Sequence, residues 1–166
     1  MYGTQEAFAT YCSVGGYDLT GIDATAQTAA LVRASTFVDG LGYRDTGRGV
    51  QSPLWPGRPA VAGQSAEWPR TGASDVYGAE FGDADIPQRV IDATYEVAFH
   101  DLSGGDINRA LSPDQLVTRE KFDVVEFQYA GGDGKMVDTR PVLPAVMSLL
   151  APLIGGGRYG ITMVVS

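Results

Sequence analysis

Cysteine is nearly absent: Cys12 is the only one in 166 residues. A single thiol excludes an internal disulfide and any zinc site built from several cysteines. Lysine is almost as scarce. Only Lys121 and Lys135 occur, and 20 acids against 12 bases leave a formal charge of −8. Proteins that grip nucleic acid carry a basic patch that displaces counterions from phosphates, and no such patch is visible. Between residues 75 and 101, Arg89 stands alone among Asp75, Glu80, Asp83, Asp85, Asp92, Glu96 and Asp101. That pattern argues against a DNA-gripping surface, though not against one that DNA slides past. A long apolar run is also missing. The longest, VLPAVMSLLAPLI at 142–154, holds two prolines and falls short of the roughly 20 residues a membrane span needs. The opening MYGTQEAF lacks the basic and apolar regions of a signal peptide. The expectation is a soluble protein kept in a reducing cytoplasm, with no membrane partner.

What the chain does have is enough apolar material, 44% of its residues, for one folded domain. Its 22 glycines and 9 prolines commit much of the length to turns and loops. Thr4 is placed to cap a short helix to about Val14, with Phe8, Tyr11 and Cys12 on one face. Asp23 caps a second helix, 24–41, whose stripe is Ala30, Leu31, Ala34, Phe37, Val38 and Leu41. Gln27 lies on the same face one turn earlier, so the buried part of the stripe is expected to begin after it. DIPQRVIDATYEVAFHDLSGG opens a third helix. Pro87 suits its first turn; Val90, Ala93 and Val97 centre its buried stripe, and Ile91, Ala98 and Leu102 widen it. Pro144 opens a last apolar helix, about 144–154, with Val146, Met147, Leu150 and Leu153 or Ile154 facing one way.

Between the second and third helices the pattern dissolves. Residues 42–85 have no sustained period, and structureless loops of that length are usually functional or pinned by their own side chains. Two Trp-Pro pairs, Trp55-Pro56 and Trp68-Pro69, are the obvious pins. A residue before proline is pushed towards extended geometry, so each tryptophan is expected on a stiff, straight piece of backbone. In AEWPRTG (66–72), Trp68 should bury, Pro69 should hold the chain straight, and Arg70 should pair with an acid such as Glu67, Asp75 or one across a subunit boundary. The alternative use of Trp68 beside Arg70 is stacking on bases. Leu54 and Trp55, earlier in the loop, either pack on their own domain or reach a partner.

Residues 116–139 read as a β-hairpin, with Val117, Phe122, Val124, Val125, Phe127 and Tyr129 giving β character and GGDG (131–134) the turn. After GGG (155–157) comes an arm, RYGITMVVS. Arg158, Tyr159, Ile161, Met163 and Val165 make it a candidate partner-binding strand, because an uncharged β-prone strand without a partner is an aggregation liability. A frayed end, or a strand completing its own sheet, is the plainer alternative.

Catalytic chemistry has little to stand on. His100 is the only histidine, with acids only at Asp101 and Glu96, and neither a GxSxG elbow nor a Cys–His pairing is visible. It reads as a histidine satisfied near a helix C-terminus. Asp83 and Asp85 lack the continuation of an EF-hand and suit the N-terminal end of the third helix dipole instead. GGDGK (131–135) lacks the spacing and following Ser/Thr of a phosphate loop. No catalytic residue, metal or cofactor is expected.

The order of parts carries a resemblance. WPRxG followed by IPxxVxxA, matched here by Trp68, Pro69, Arg70, Gly72, Ile86, Pro87, Val90 and Ala93, is similar to a family of small tailed-phage proteins. They carry a DnaT-like single-stranded-DNA-binding label, and their fold looks like that of head–tail connector adaptors. The likeness spans roughly residues 4–154, with REKFDVVEFQY a looser match. The insertion SPLWPGRPAVAGQSAE and the tail after Gly155 depart from it. The resemblance implies a homo-oligomeric ring, commonly of twelve subunits, in the neck of the virion after assembly in the host cytoplasm. Its partners would be the portal and a tail, stopper or nozzle protein, with genomic DNA passing through the lumen unbound. An acidic lumen would let DNA slide without sticking. The alternative the family carries is a single-stranded-DNA-binding replication accessory.

The expected architecture is therefore mainly α: a small helical bundle with a β-hairpin, a long Trp/Pro/Gly-rich loop and an extended C-terminal arm. Residues 1–154 make the domain, with loop 42–85 and hairpin 116–139, and 155–166 make the arm.

Overall fold

The protein, as a computed structural model, is described at residues 1–45, 51–105, 107, 119–122, 125–128 and 143–154. It is mainly α with a β-hairpin. Helix α1 (Gln5–Gly15) starts where the Thr4 hydroxyl accepts the Ala7 amide at 3.2 Å and stops at Gly16. Helix α2 (Ala24–Leu41) starts where Asp23 accepts the Ala26 amide at 2.7 Å. Each cap satisfies an amide that the first helical turn leaves without a partner.

Helix α2 packs mainly on α3 (Gln88–Leu102), and α3 packs in turn on α4 (Pro144–Leu150). Ala30, Leu31, Ala34 and Val38 of α2 and Val90, Ala93, Val97 and Ala98 of α3 are buried, as their helical spacing predicts. Gln27 corrects the expected edge of the α2 stripe, because it is buried too. Its amide donates to Ile22 O at 2.9 Å and its oxygen accepts from Gln5 Nε2 at 2.7 Å, which offsets the cost of burying a polar group. The last helix is shorter than its apolar run: α4 ends at Leu150, and Leu153 and Ile154 are buried from the turns that follow.

The aperiodic stretch carries three fragments of antiparallel pairing. Strand β1 (Tyr43–Asp45) pairs with β2 (Gln51–Pro53), β3 (Arg58–Pro59) with β4 (Arg70–Thr71), and Ser74 bridges Glu80. The later hairpin joins β5 (Arg119–Phe122) to β6 (Val125–Gln128) in the register Phe122↔Val125. The chain therefore reverses between Phe122 and Val125. The expected turn at GGDG lies outside the described residues. The C-terminal arm with Arg158, Tyr159, Ile161, Met163 and Val165 lies outside them as well. No helix among the described residues is long and apolar enough to cross a membrane.

Candidate functional site

The Trp-Pro-Arg segment sits against α2 and the chain start. Trp68 is 2% exposed and takes edge-on contacts from Trp55 at 5.9 Å and Phe81 at 5.8 Å between ring centroids. Such geometry sets the positive edge of one ring against the negative face of the next. The Trp68-Pro69 peptide bond is cis. The chain bends there instead of running straight, which corrects the expected role of Pro69. The Pro69 carbonyl is used by Ala60 N at 3.1 Å and Gln64 Nε2 at 3.0 Å, so this bend is the point where the insertion ties back.

Arg70, also 2% exposed, spends its guanidinium entirely inside the loop. Nε donates to Pro56 O at 2.7 Å, Nη2 to Gly57 O at 3.0 Å, and Nη1 to both Glu67 O at 3.2 Å and Glu67 Oε2 at 2.6 Å. Of the acids named from the sequence, it is Glu67 that pairs with it. One planar fork thus fastens two separate segments, residues 56–57 and residue 67, a task a point charge such as lysine performs poorly.

The contact that sequence reasoning missed is Tyr2. It is 1% exposed; its amide donates to Ser35 Oγ at 2.9 Å, and its hydroxyl accepts the Trp68 amide at 3.0 Å while donating to Asp39 Oδ1. Asp39 Oδ1 also accepts the Glu67 amide at 3.3 Å. Burial pushes the Asp39 carboxyl above its ordinary value, and burial followed by the Asp39 contact pushes the Tyr2 phenol well above its own. Nothing local marks Tyr2 in the sequence, since its partners are 33, 37 and 66 positions away.

Trp55 is 3% exposed and half-buried Leu54 packs beside it, so both join their own domain's core. The Trp55 ring lies on Gly42, where any Cβ would fall 1.6 Å from its Nε1, so glycine is required there. Neither indole N–H finds an acceptor among the described residues, and the two rings therefore contribute by packing alone.

A second feature lies between α1 and α3. Tyr11 and Tyr17 both donate to Glu96 Oε1, at 2.7 and 2.9 Å, and Tyr17 stacks on Phe99 at 4.4 Å. Burial first, then the Glu96 bond, raises the Tyr11 phenol; for Tyr17 the Glu96 bond comes first. Beside them runs a groove of about 580 Å³ lined by Ala7, Tyr11, Val14, Ile91, Asp92 and Tyr95, among others. His100 stands half-buried in the last turn of α3 against Gly105. Its neighbour Asp101 is committed to Arg33 at 2.5 Å. Asp83 and Asp85 are exposed, with Asp85 accepting the Gly82 amide at 3.1 Å. No group of three or more His, Cys, Asp or Glu side chains is placed to hold a metal among the described residues.

No curated protein and no solved structure matches the chain. Its whole length, residues 1–166, matches the family described as "Putative DnaT-like ssDNA binding protein", and the chain belongs to that family.

Proposed function

We propose that the chain is a structural subunit of a tailed-phage particle: a head–tail adaptor that forms a ring, joins the portal to the tail or stopper, and lines the DNA channel of the neck. The observation that best supports this reading is the fate of Trp68 and Arg70. A single-strand binder uses open aromatic faces beside free basic groups. Here the Trp-Arg pair of the family motif is buried, its guanidinium held by three backbone carbonyls and Glu67. Trp55, the other tryptophan near an arginine, is buried with it. A formal charge of −8 adds repulsion from phosphates, which suits a lumen that DNA crosses without sticking. The role is mechanical, needing neither cofactor nor metal. Of the acids beside His100 in the sequence of α3, Glu96 is engaged by Tyr11 and Tyr17 and Asp101 by Arg33. The test is electron microscopy of the purified protein with its portal: a ring density beneath the portal is expected, and a monomer that ignores the portal overturns the reading.

The family description favours a second reading, a single-stranded-DNA-binding replication accessory. It predicts binding whose affinity falls steeply with salt. No binding to single strands at low salt removes it.

A further inference from the structure

Residues 75–79 form a tightly fastened turn with an apolar tip. Asp75 Oδ1 accepts the amides of Tyr77 and Ala79, each at 2.9 Å. The Asp75 amide donates to Ala79 O at 3.0 Å, and the Val76 amide donates to Pro152 O at 2.9 Å just beyond α4. On this frame Tyr77 is 83% exposed, with Val76 exposed beside it. An aromatic side chain held outward on ordered backbone loses little conformational freedom on docking.

The groove between α1 and α3 has the complementary character. It is an open groove of about 580 Å³, lined mainly by apolar and aromatic side chains. Val14 at its rim is 85% exposed. Asp92 takes one hydrogen bond, from Gln88 Nε2 to Oδ1 at 2.9 Å, and its second oxygen accepts none from the described residues. Asp75 in the turn and Asp92 in the groove make both features acidic, and one exposed pair beside them is opposite in sign. Glu80, at the foot of the turn, and Arg89, next to Gln88 of the groove, are exposed and have no ion-pair partner among the described residues.

The geometry points to a contact between two copies of this chain, in which the Val76–Tyr77 turn of one seats in the α1–α3 groove of the next. Tyr77 donates to Asp92, as Tyr11 and Tyr17 already donate to Glu96 within one copy. Glu80 faces Arg89, the lone base in the acidic stretch 75–101, so two copies of a net-acidic chain gain one attraction where repulsion would otherwise rule. Turn and groove are different surfaces, so the contact is heterologous, and its repetition closes a ring when the rotation allows. The inference rests on the ring-subunit reading and names the surfaces that would join its subunits.

The experiment uses the full chain carrying Val14→Cys and Ala79→Cys with a short bismaleimide cross-linker, alone and bound to its portal. Native Cys12 is buried, with its thiol pushed up to about 11 by that burial, so the unsubstituted protein serves as the unreacted control. A ladder of cross-linked oligomers is expected from the double variant and from neither single one. Adding Tyr77→Ala should cut the ladder about tenfold or more, the loss typical of a central aromatic anchor, with the melting temperature unchanged. Three results overturn the contact: no cross-link in either sample, both thiols joined within one copy, or a yield indifferent to Tyr77→Ala. Sedimentation of the unsubstituted protein separates the two readings. Oligomers without the ladder remove only this contact, whereas a monomer that also ignores the portal removes the ring reading with it.

Discussion

The loop of residues 42–85 and helix α1 invert the usual relation between pattern and attachment. Helix α1 has a cap, a stop and an apolar face at helical spacing, yet it buries only Phe8 and Cys12 and leaves Val14 in solvent beside an open groove. The loop has no period, yet it buries Trp55, Trp68, Arg70 and Ala73. Regular elements satisfy their backbone groups internally and need only one face covered. An irregular segment must find a partner for each buried polar group separately, and here Arg70, Gln64, Asp39 and Tyr2 supply the partners. The loop is therefore expected to be the costlier region to disturb.

The sharpest way to break this contrast is Trp68→Ala. Removing a buried ring between Trp55 and Phe81 should cost about 3–5 kcal/mol in urea unfolding, and a loss below ~1 kcal/mol would show that the loop is not held by it. Arg70→Ala follows, at about 3 kcal/mol, because it strips Glu67 and three carbonyls of their donor. Arg70→Lys should recover only part, since a single ammonium cannot span the same acceptors. Tyr2→Phe should cost about 2 kcal/mol by leaving the Trp68 amide and Asp39 short of a partner. At the other extreme, Val14→Ser on α1 should shift stability by no more than about 0.5 kcal/mol.

Alkaline pH tests both regions at once. The phenols of Tyr2, Tyr11, Tyr17 and Tyr95 are all raised above the ordinary 10.0 in the folded chain. Above pH 10 the unfolded chain therefore releases protons that the folded one keeps. Their contribution is fully present below that value and is lost as pH rises, at up to about 1.4 kcal/mol per pH unit for a buried phenol such as Tyr2. Melting temperature against pH should fall on this limb, and Tyr2→Phe should flatten it more than Tyr17→Phe does. Equal slopes in the two variants would show that burial of Tyr2 is not the cause.

Which parts could be read in the sequence follows from the range of the interactions. Helix α2 is legible because Asp23 and the Ala30–Leu41 stripe are local signals, and so is the Arg70–Glu67 pair three residues apart. Gln27 misleads because its compensating bonds come from Ile22 and from Gln5 on another helix. Tyr2 and Asp39 are invisible for the same reason on a larger scale: their meeting joins the chain start, α2 and the loop. The hairpin differs again: Phe122 and Val125 carry the same β character as their neighbours, so nothing in REKFDVVEFQY marks the reversal that their pairing makes.

The chain has two tryptophans, and both stand in one cluster, 5.9 Å apart. Its intrinsic emission therefore watches the loop and almost nothing else. Helix content read by circular dichroism reports on α1 to α4. A red shift of the emission at a denaturant concentration where the helical signal still holds would register the loop lifting away from an intact bundle. Coincident curves would show that the loop and the helices it caps open as one cooperative unit.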